Sequence, residues 1–401
     1  MIQQVNSDQI ADIRTVKSPV RSAIFVGLLA AAVCFVWLFL NTHYLYSGNW
    51  TSVYYTGALT PMPSELAAEH IYQYPNVVGY DAQFYHLIAH DPLFNRGFAR
   101  FIDYPRFRYR RIFISGLAAL LSSGHDKWVD PAYVAVVLGF VFIGSFWLAR
   151  WSTTLGFSPA WGLLFLVIPA TLVTMLLMIV DGALAALAVG AFWYAERQNQ
   201  VKLFAVLACA CLVREIGVLL LGGYCLWLLF QRKPVRAILF GTAAVPLLLW
   251  LWFVQLHTTG DHRAMIALIP LNGLIGAIAG SFNDEHSVLL ALDAVAMGGM
   301  LLAFGFATYY FLRRETRSPA AFMVAGFIVL GMFVSNEGAI WPEVNSFGRV
   351  FSPVILFVAM TGLVQRNWWA MLPIGLVDLR IVTVFLVHLG RILHAMMAGR
   401  S

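Results

Sequence analysis

Ile24-Phe25-Val26-Gly27-Leu28-Leu29-Ala30-Ala31-Ala32-Val33-Cys34-Phe35-Val36-Trp37-Leu38-Phe39-Leu40 runs without a single charged side chain. A helix of that length and composition can cross the hydrocarbon core of a bilayer. Arg14, Lys17 and Arg21 precede the stretch and no small-residue cleavage pattern follows it. It is therefore expected to be a retained signal anchor, with residues 1–23 forming a cytoplasmic N-terminal segment. The rest of the chain repeats the theme: 60% of its 401 residues are hydrophobic and 11% are charged, against roughly a quarter charged in soluble domains. The composition specifies a polytopic membrane protein.

Further apolar stretches lie at 131–148, 160–179, 182–194, 201–213, 217–230, 238–254, 288–312, 319–333, 350–363 and 370–389. A single helix from 160 to 194 would exceed what a bilayer needs, so a break is expected near Asp181-Gly182, leaving Asp181 at a membrane surface. Basic residues concentrate in alternate loops, at Arg150, at Arg197 with Lys202, at Arg232-Lys233, at Arg313-Arg314 and at Arg366. These loops should face the cytoplasm. The intervening ones, at Asp181, Arg214-Glu215, His257 to His286 and Ser335 to Arg349, should face outward. The alternation holds if Arg111 to Leu121 lies on the outer surface as a shallow amphipathic helix, which gives about 11 spans in residues 24–401. Cys34, Cys209, Cys211 and Cys225 all sit in apolar stretches, so neither a disulfide framework nor a zinc knuckle is implied. The formal charge of +6 arises from the basic loops and gives no footprint for nucleic acid.

The longest polar interval, Asn41 to Asp130, is the first outward loop. It holds Gly79-Tyr80-Asp81-Ala82-Gln83-Phe84-Tyr85-His86-Leu87-Ile88-Ala89-His90-Asp91-Pro92. Helical spacing places Asp81, Phe84, Tyr85 and Ile88 on one side of a short helix. Asp81 at its start is a candidate general base for a hydroxyl nucleophile; the alternative is a helix-start carboxylate satisfying free backbone N–H groups. Gln83, Tyr85 and His86 are candidates for positioning substrate. His86, His90 and Asp91 admit a divalent metal, but the tract lacks an HExxH pattern and a second ligand cluster, so no metal ligand is assigned.

Downstream, Arg106-Phe107-Arg108-Tyr109-Arg110-Arg111 interleaves guanidinium and aromatic groups. Arg108, Arg110 and Arg111 are candidates for a lipid phosphate, because the guanidinium fork matches phosphate oxygens bidentately, with general attraction to anionic headgroups as the alternative. In a helix, Arg106 and Arg110 would point together. Arg214 and Arg349 are candidates for the same phosphate, and Asp181, Glu215, Trp341 and Glu343 for positioning substrate. Trp341 suits sugar stacking or the aromatic belt equally. The outward residues His257, Asp261, His262, Arg263, Asp284, Glu285 and His286 could shape an acceptor vestibule, and no spacing selects among them.

The long first outward loop, its Gly79 to Ala89 tract, and Asp181 with Arg214-Glu215 at outward helix ends resemble the GT-C superfamily of polytopic glycosyltransferases, in particular its bacterial and mannosyltransferase-like branches. The resemblance implies an all-α transmembrane bundle, a polyprenyl-phosphate-linked sugar donor, a lipid-linked or surface-glycan acceptor, and a catalytic carboxylate that maps onto Asp81. It also implies a bacterial inner membrane with the active site facing the periplasm or exterior. Related proteins often carry an acidic pair in this loop, whereas Ala82 and Gln83 follow Asp81 here. Two other classes stay open on the residues alone. Charged groups at broken helix ends also suit a lipid or solute transporter, and the third class is a noncatalytic membrane scaffold.

Overall fold

The computed structural model describes residues 19–259, 266–281, 287–335 and 340–399. Arg14 and Lys17, the outward residues Asp261, His262, Arg263, Asp284, Glu285 and His286, and Asn336 to Ala339 lie outside the described residues. The architecture is an all-α bundle, with one two-residue parallel pairing, Thr56↔Gln73 and Gly57↔Tyr74, in the loop after the first helix.

Among the described residues, five helices are long and apolar enough to cross a membrane: Val20–Leu45, Asp126–Thr154, Pro234–His257, Val288–Leu312 and Trp368–Met397. Seven result if each of two bent pairs counts as one span. Pro159–Val167 and Pro169–Leu177 meet at 57°, and Val344–Val350 and Ser352–Val364 at 58°. Proline explains the first bend: the residue before it is driven out of the helical region, and Ile168 is extended (φ −74°, ψ 131°) ahead of Pro169. Gln200–Val213, Glu215–Phe230 and Pro319–Phe333 are shorter apolar helices. The expected break near Asp181 is present. Met178 ends one helix in the left-handed conformation (φ 49°) and Asp181 opens the next, Asp181–Glu196, which is buried almost throughout.

The helix at Ile112–Leu121 has 10 residues, about 15 Å against a hydrocarbon core of about 30 Å. It does not cross. Arg111 before it reaches toward Asp81, while Asp126 after it meets His90 on the same loop helix, so both ends lie at one end of the bundle. It is more deeply packed than a surface helix, since Ile114, Ser115 and Ala118 are buried and Ser115 Oγ donates to the Tyr85 carbonyl at 2.8 Å.

The other end gathers the basic loops. Trp151 donates to Glu196 at 3.2 Å, Arg317 lies over Phe230, and one cavity is lined by Trp151, Glu196, Glu315 and Gln365. Asp81, Asp181, Arg214 and Arg349 converge at the opposite end. Single cysteines placed beside Asp81 and beside Asp181 should therefore label from one side of intact membrane vesicles, and cysteines beside Arg150 and Arg313 from the other. Labelling near Asp81 and Asp181 from opposite sides would reject this arrangement.

Candidate active site

The Asp81–His90 helix is set in place by its approach. Gly79 turns with φ +81°, and Gly57 runs so close to it that a Cβ on Gly57 would meet the Gly79 nitrogen and the Val77 carbonyl at 2.3 Å. A side chain has no room there. Gln83 staples this turn: its Oε1 accepts from the Gly57 N–H at 3.1 Å and its Nε2 donates to the Val78 carbonyl at 2.8 Å. Both ends of the amide are thereby engaged. Gln83 thus holds the loop and also lines the cavity beside Asp81.

Asp81 begins this helix, where free N–H groups and the macrodipole favour a carboxylate. Arg108 donates to Asp81 Oδ1 at 2.6 Å and to both oxygens of Asp103 at 2.9 and 2.8 Å. Arg349 donates to Asp81 Oδ2 at 3.2 Å and reaches Asp181 at 3.6 Å, and Asp181 is in turn paired with Arg214. Arg111 stands 4.0 Å from Asp81, donates to the Tyr85 hydroxyl at 2.6 Å and clamps Glu215 at 2.9 and 2.6 Å. Four carboxylates, Asp81, Asp103, Asp181 and Glu215, thus interlock with the four guanidinium groups of Arg108, Arg111, Arg214 and Arg349.

Burial pushes the Asp81 carboxyl up, and the guanidinium groups of Arg349, Arg108 and Arg111 overcome that and hold it well below the usual carboxylate range. Asp81 is accordingly ionised, with each oxygen taken by an arginine. The guanidinium groups are less well served. Arg214 Nε and Arg349 Nε are buried donors with no hydrogen-bond acceptor among the described residues, a costly condition that an anionic ligand would relieve. Beside the network, a cavity of about 500 Å³ is lined by Tyr80, Asp81, Gln83, Phe84, Asp103 and Arg108. That volume lies within the range of small-molecule sites.

The sequence candidates divide clearly. Asp81, Arg108, Arg111, Arg214, Arg349, Tyr85, Asp181 and Glu215 come together. Glu343, exposed, accepts from Tyr80 at 3.5 Å and from Ser346 at 3.0 Å, at the edge of the site. Arg106 donates to the Thr258 carbonyl at 2.6 Å, and Pro105–Arg111 is not one continuous α-helix, so the condition for Arg106 and Arg110 to point together is not met. The turn presents Arg108 and Arg111 to Asp81, with Arg110 half-buried between them. Trp341 is 1% exposed, donates to the Gly331 carbonyl at 3.0 Å and packs against Phe304, Phe347 and Phe351. No ring face is open to a sugar or to the membrane interface, which corrects its assignment. His86 is fully buried against Asp130, His90 and Tyr54, outside the Asp81 ion pairs.

The sequence places Asp103, Asp126 and Asp130 in the outward loop but assigns them no site role; Asp103 completes the clamp on Arg108, and Asp126 and Asp130 are the partners of the two histidines. A signal for the last two was present. His86/His90 and Asp126/Asp130 are both spaced by one helical turn. Comparison of the chain with family models, with curated proteins and with solved structures returns no match.

Proposed function

We propose that the chain is an inverting glycosyltransferase of GT-C type that moves a sugar from a polyprenyl-phosphate donor to a lipid-linked or surface-glycan acceptor. The observation that carries this reading is a half-buried, ionised carboxylate ringed by guanidinium groups of which two, Arg214 and Arg349, keep donors without an acceptor among the described residues. In the proposed reaction the acceptor hydroxyl oxygen attacks the anomeric carbon as the bond to the phosphate oxygen breaks. The hydroxyl proton passes to Asp81, and the polyprenyl phosphate leaves with its charge held by arginines. The architecture is compatible: if Asp181–Glu196 and the three shorter apolar helices also cross, the spans number about 11. On this reading the Asp81 end faces the periplasm or exterior of a bacterial inner membrane.

Phosphate binding and proton transfer are linked. An arginine drawn from Asp81 to an incoming phosphate frees a carboxylate oxygen and weakens the field that keeps its proton affinity low. The same movement would prepare the base and secure the donor.

The test is mass spectrometry of lipid-linked sugars and surface glycans from cells with the wild-type chain and with Asp81→Asn, followed by turnover of the purified protein in nanodiscs. Arg349→Gln should weaken donor use about tenfold or more, as expected for a lost charged hydrogen bond, and change acceptor use less. Equal donor kinetics in Arg349→Gln and wild type would remove the phosphate from this site.

The two bent helix pairs favour a second reading, a lipid or solute transporter, because broken helices commonly line translocated-substrate sites. They pack together, with Ser352 Oγ accepting from the Ala170 N–H at 2.9 Å across the two breaks. Substrate flux in purified liposomes without covalent turnover would establish transport in place of transfer.

A further inference from the structure

The Asp81–His90 helix carries a second polar centre near its C-terminal end, apart from the arginine network. His86 Nε2 lies 2.7 Å from Asp130 Oδ1 and 3.1 Å from His90 Nε2, and the three atoms all fall within 4.8 Å of one another. Both histidines are buried, and Asp130 is 14% exposed. The ring of Tyr54 stacks flat on His86 at 4.1 Å and fixes its plane.

The tautomer of His90 follows from its other nitrogen. Nδ1 lies 2.7 Å from Asp126 Oδ1, and Asp126 is an ionised acceptor gripped by Arg96 at 2.6 and 3.1 Å. Nδ1 therefore carries the hydrogen, and the lone pair of neutral His90 sits on Nε2, aimed at His86. Asp130 aims a carboxylate oxygen at the same point. Lone pairs converging from two directions on His86 Nε2 repel unless a cation lies among them. One hydrogen on that nitrogen can satisfy one neighbour well; a metal ion can satisfy all three donors at once.

We propose that His86 Nε2, His90 Nε2 and Asp130 Oδ1 bind a divalent transition-metal ion of the zinc class, which pins the Asp81–His90 helix to the Asp126–Thr154 helix. Two imidazoles and one carboxylate suit zinc and its neighbours, whereas magnesium and calcium prefer oxygen donors. Asp126 supplies the outer carboxylate that orients a metal-bound histidine. With bonds of about 2.0 to 2.2 Å the donors of a tetrahedral site stand roughly 3.3 Å apart. The closest pair, His86 Nε2 and Asp130 Oδ1 at 2.7 Å, would open by about 0.6 Å, and the His86–His90 pair at 3.1 Å by less. A cavity of about 470 Å³ lined by His90, Asp91, Arg96 and Asp126 lies beside the His90 ligand. The role is positional, since the site holds the helix that begins with Asp81. It stands whether or not the chain transfers sugars.

Metal analysis of the full chain, purified in mild detergent from zinc-supplemented cells and dialysed, should find one equivalent of zinc per chain. Removing it with a chelator should lower the thermal midpoint, and added zinc should restore it. Cobalt(II) added to the stripped protein should give the visible absorption of a low-coordinate nitrogen and oxygen site. Asp130→Asn and His86→Gln nearly keep side-chain volume while removing or weakening a ligand, and should lower zinc affinity at least tenfold. Asp126→Asn leaves all three ligands in place and guards against misfolding of the other variants; it should lose about 10- to 100-fold in affinity. A wild-type chain that is metal-free and unchanged by added zinc would leave a proton-shared hydrogen-bond cluster and overturn the proposal. Equal zinc binding by wild type and the ligand variants would overturn it as well.

Discussion

Asp81→Asn should leave the chain inserted and donor-competent while cutting sugar transfer by roughly 100-fold or more, the scale of a lost general base. The substitution keeps nearly the same volume and removes the proton acceptor. It also neutralises the group to which Arg108, Arg111 and Arg349 are directed. Freed arginines should hold a phosphate at least as well as before, so donor binding is expected to persist or tighten as turnover falls. That split separates a base from a residue that merely binds. A folded Asp81→Asn protein with near-wild-type turnover would rule Asp81 out as the essential base.

The pH dependence sharpens this expectation. In the resting protein the arginines keep Asp81 ionised down to well below the usual carboxylate range, so its protonation should produce no acidic limb in kcat/KM near neutral pH. Once a phosphate has drawn off an arginine, the proton affinity of Asp81 rises and an acidic limb should appear in kcat at higher pH. In Asp81→Asn that limb should vanish from the residual rate. An acidic limb that survives unchanged in the variant belongs to another group.

The membrane class, the break before Asp181 and most of the arginine cluster were legible in the sequence because each is written locally, in apolar length, charge alternation and residue type. Other parts depended on phase and long-range packing. Arg108 and Arg111 share a side because the short helix Pro105–Arg108 tightens into a 3₁₀ turn at Tyr109–Arg111, changing the repeat from about 3.6 to about 3.0 residues and breaking the four-residue match of Arg106 with Arg110. Trp341 followed the general rule that aromatic rings gather at interfaces. The bend at Phe351 instead folds the segment from Trp341 to Val350 against Phe304, which buries the ring. The His86 and His90 spacing was visible, but its partners lie across several short helical segments, from Phe98–Phe101 to Ile112–Leu121, and the matching one-turn spacing of Asp126 and Asp130 does not by itself say that the two pairs meet.

The second large effect is expected at Asp181, where removal of one carboxylate should cost more stability than any surface change. Asp181 is 2% exposed and pairs with Arg214, itself buried, while Arg349 reaches it from the other side. Deleting one partner of a buried ion pair leaves an uncompensated charge and costs about 3 to 5 kcal/mol, a large share of the roughly 5 to 15 kcal/mol that holds a folded protein. Asp181→Ala should therefore reduce the yield of folded, detergent-stable chain and lower its thermal midpoint markedly. Arg214 also serves the proposed phosphate, so loss of activity in that variant would not distinguish the two roles. The double variant Asp181→Leu with Arg214→Met does: apolar residues of similar size often replace a buried ion pair at little or no cost, and folding should largely recover. If Arg214 also contacts the donor phosphate, the rescued protein stays deficient in donor binding although its midpoint is restored. Restored folding with wild-type donor affinity would confine Arg214 to a structural pairing and leave Arg108, Arg111 and Arg349 to hold the phosphate. No recovery of the midpoint would show that the pair is not the source of the instability, and the cost would then lie in the broken link between Asp181 and Arg349.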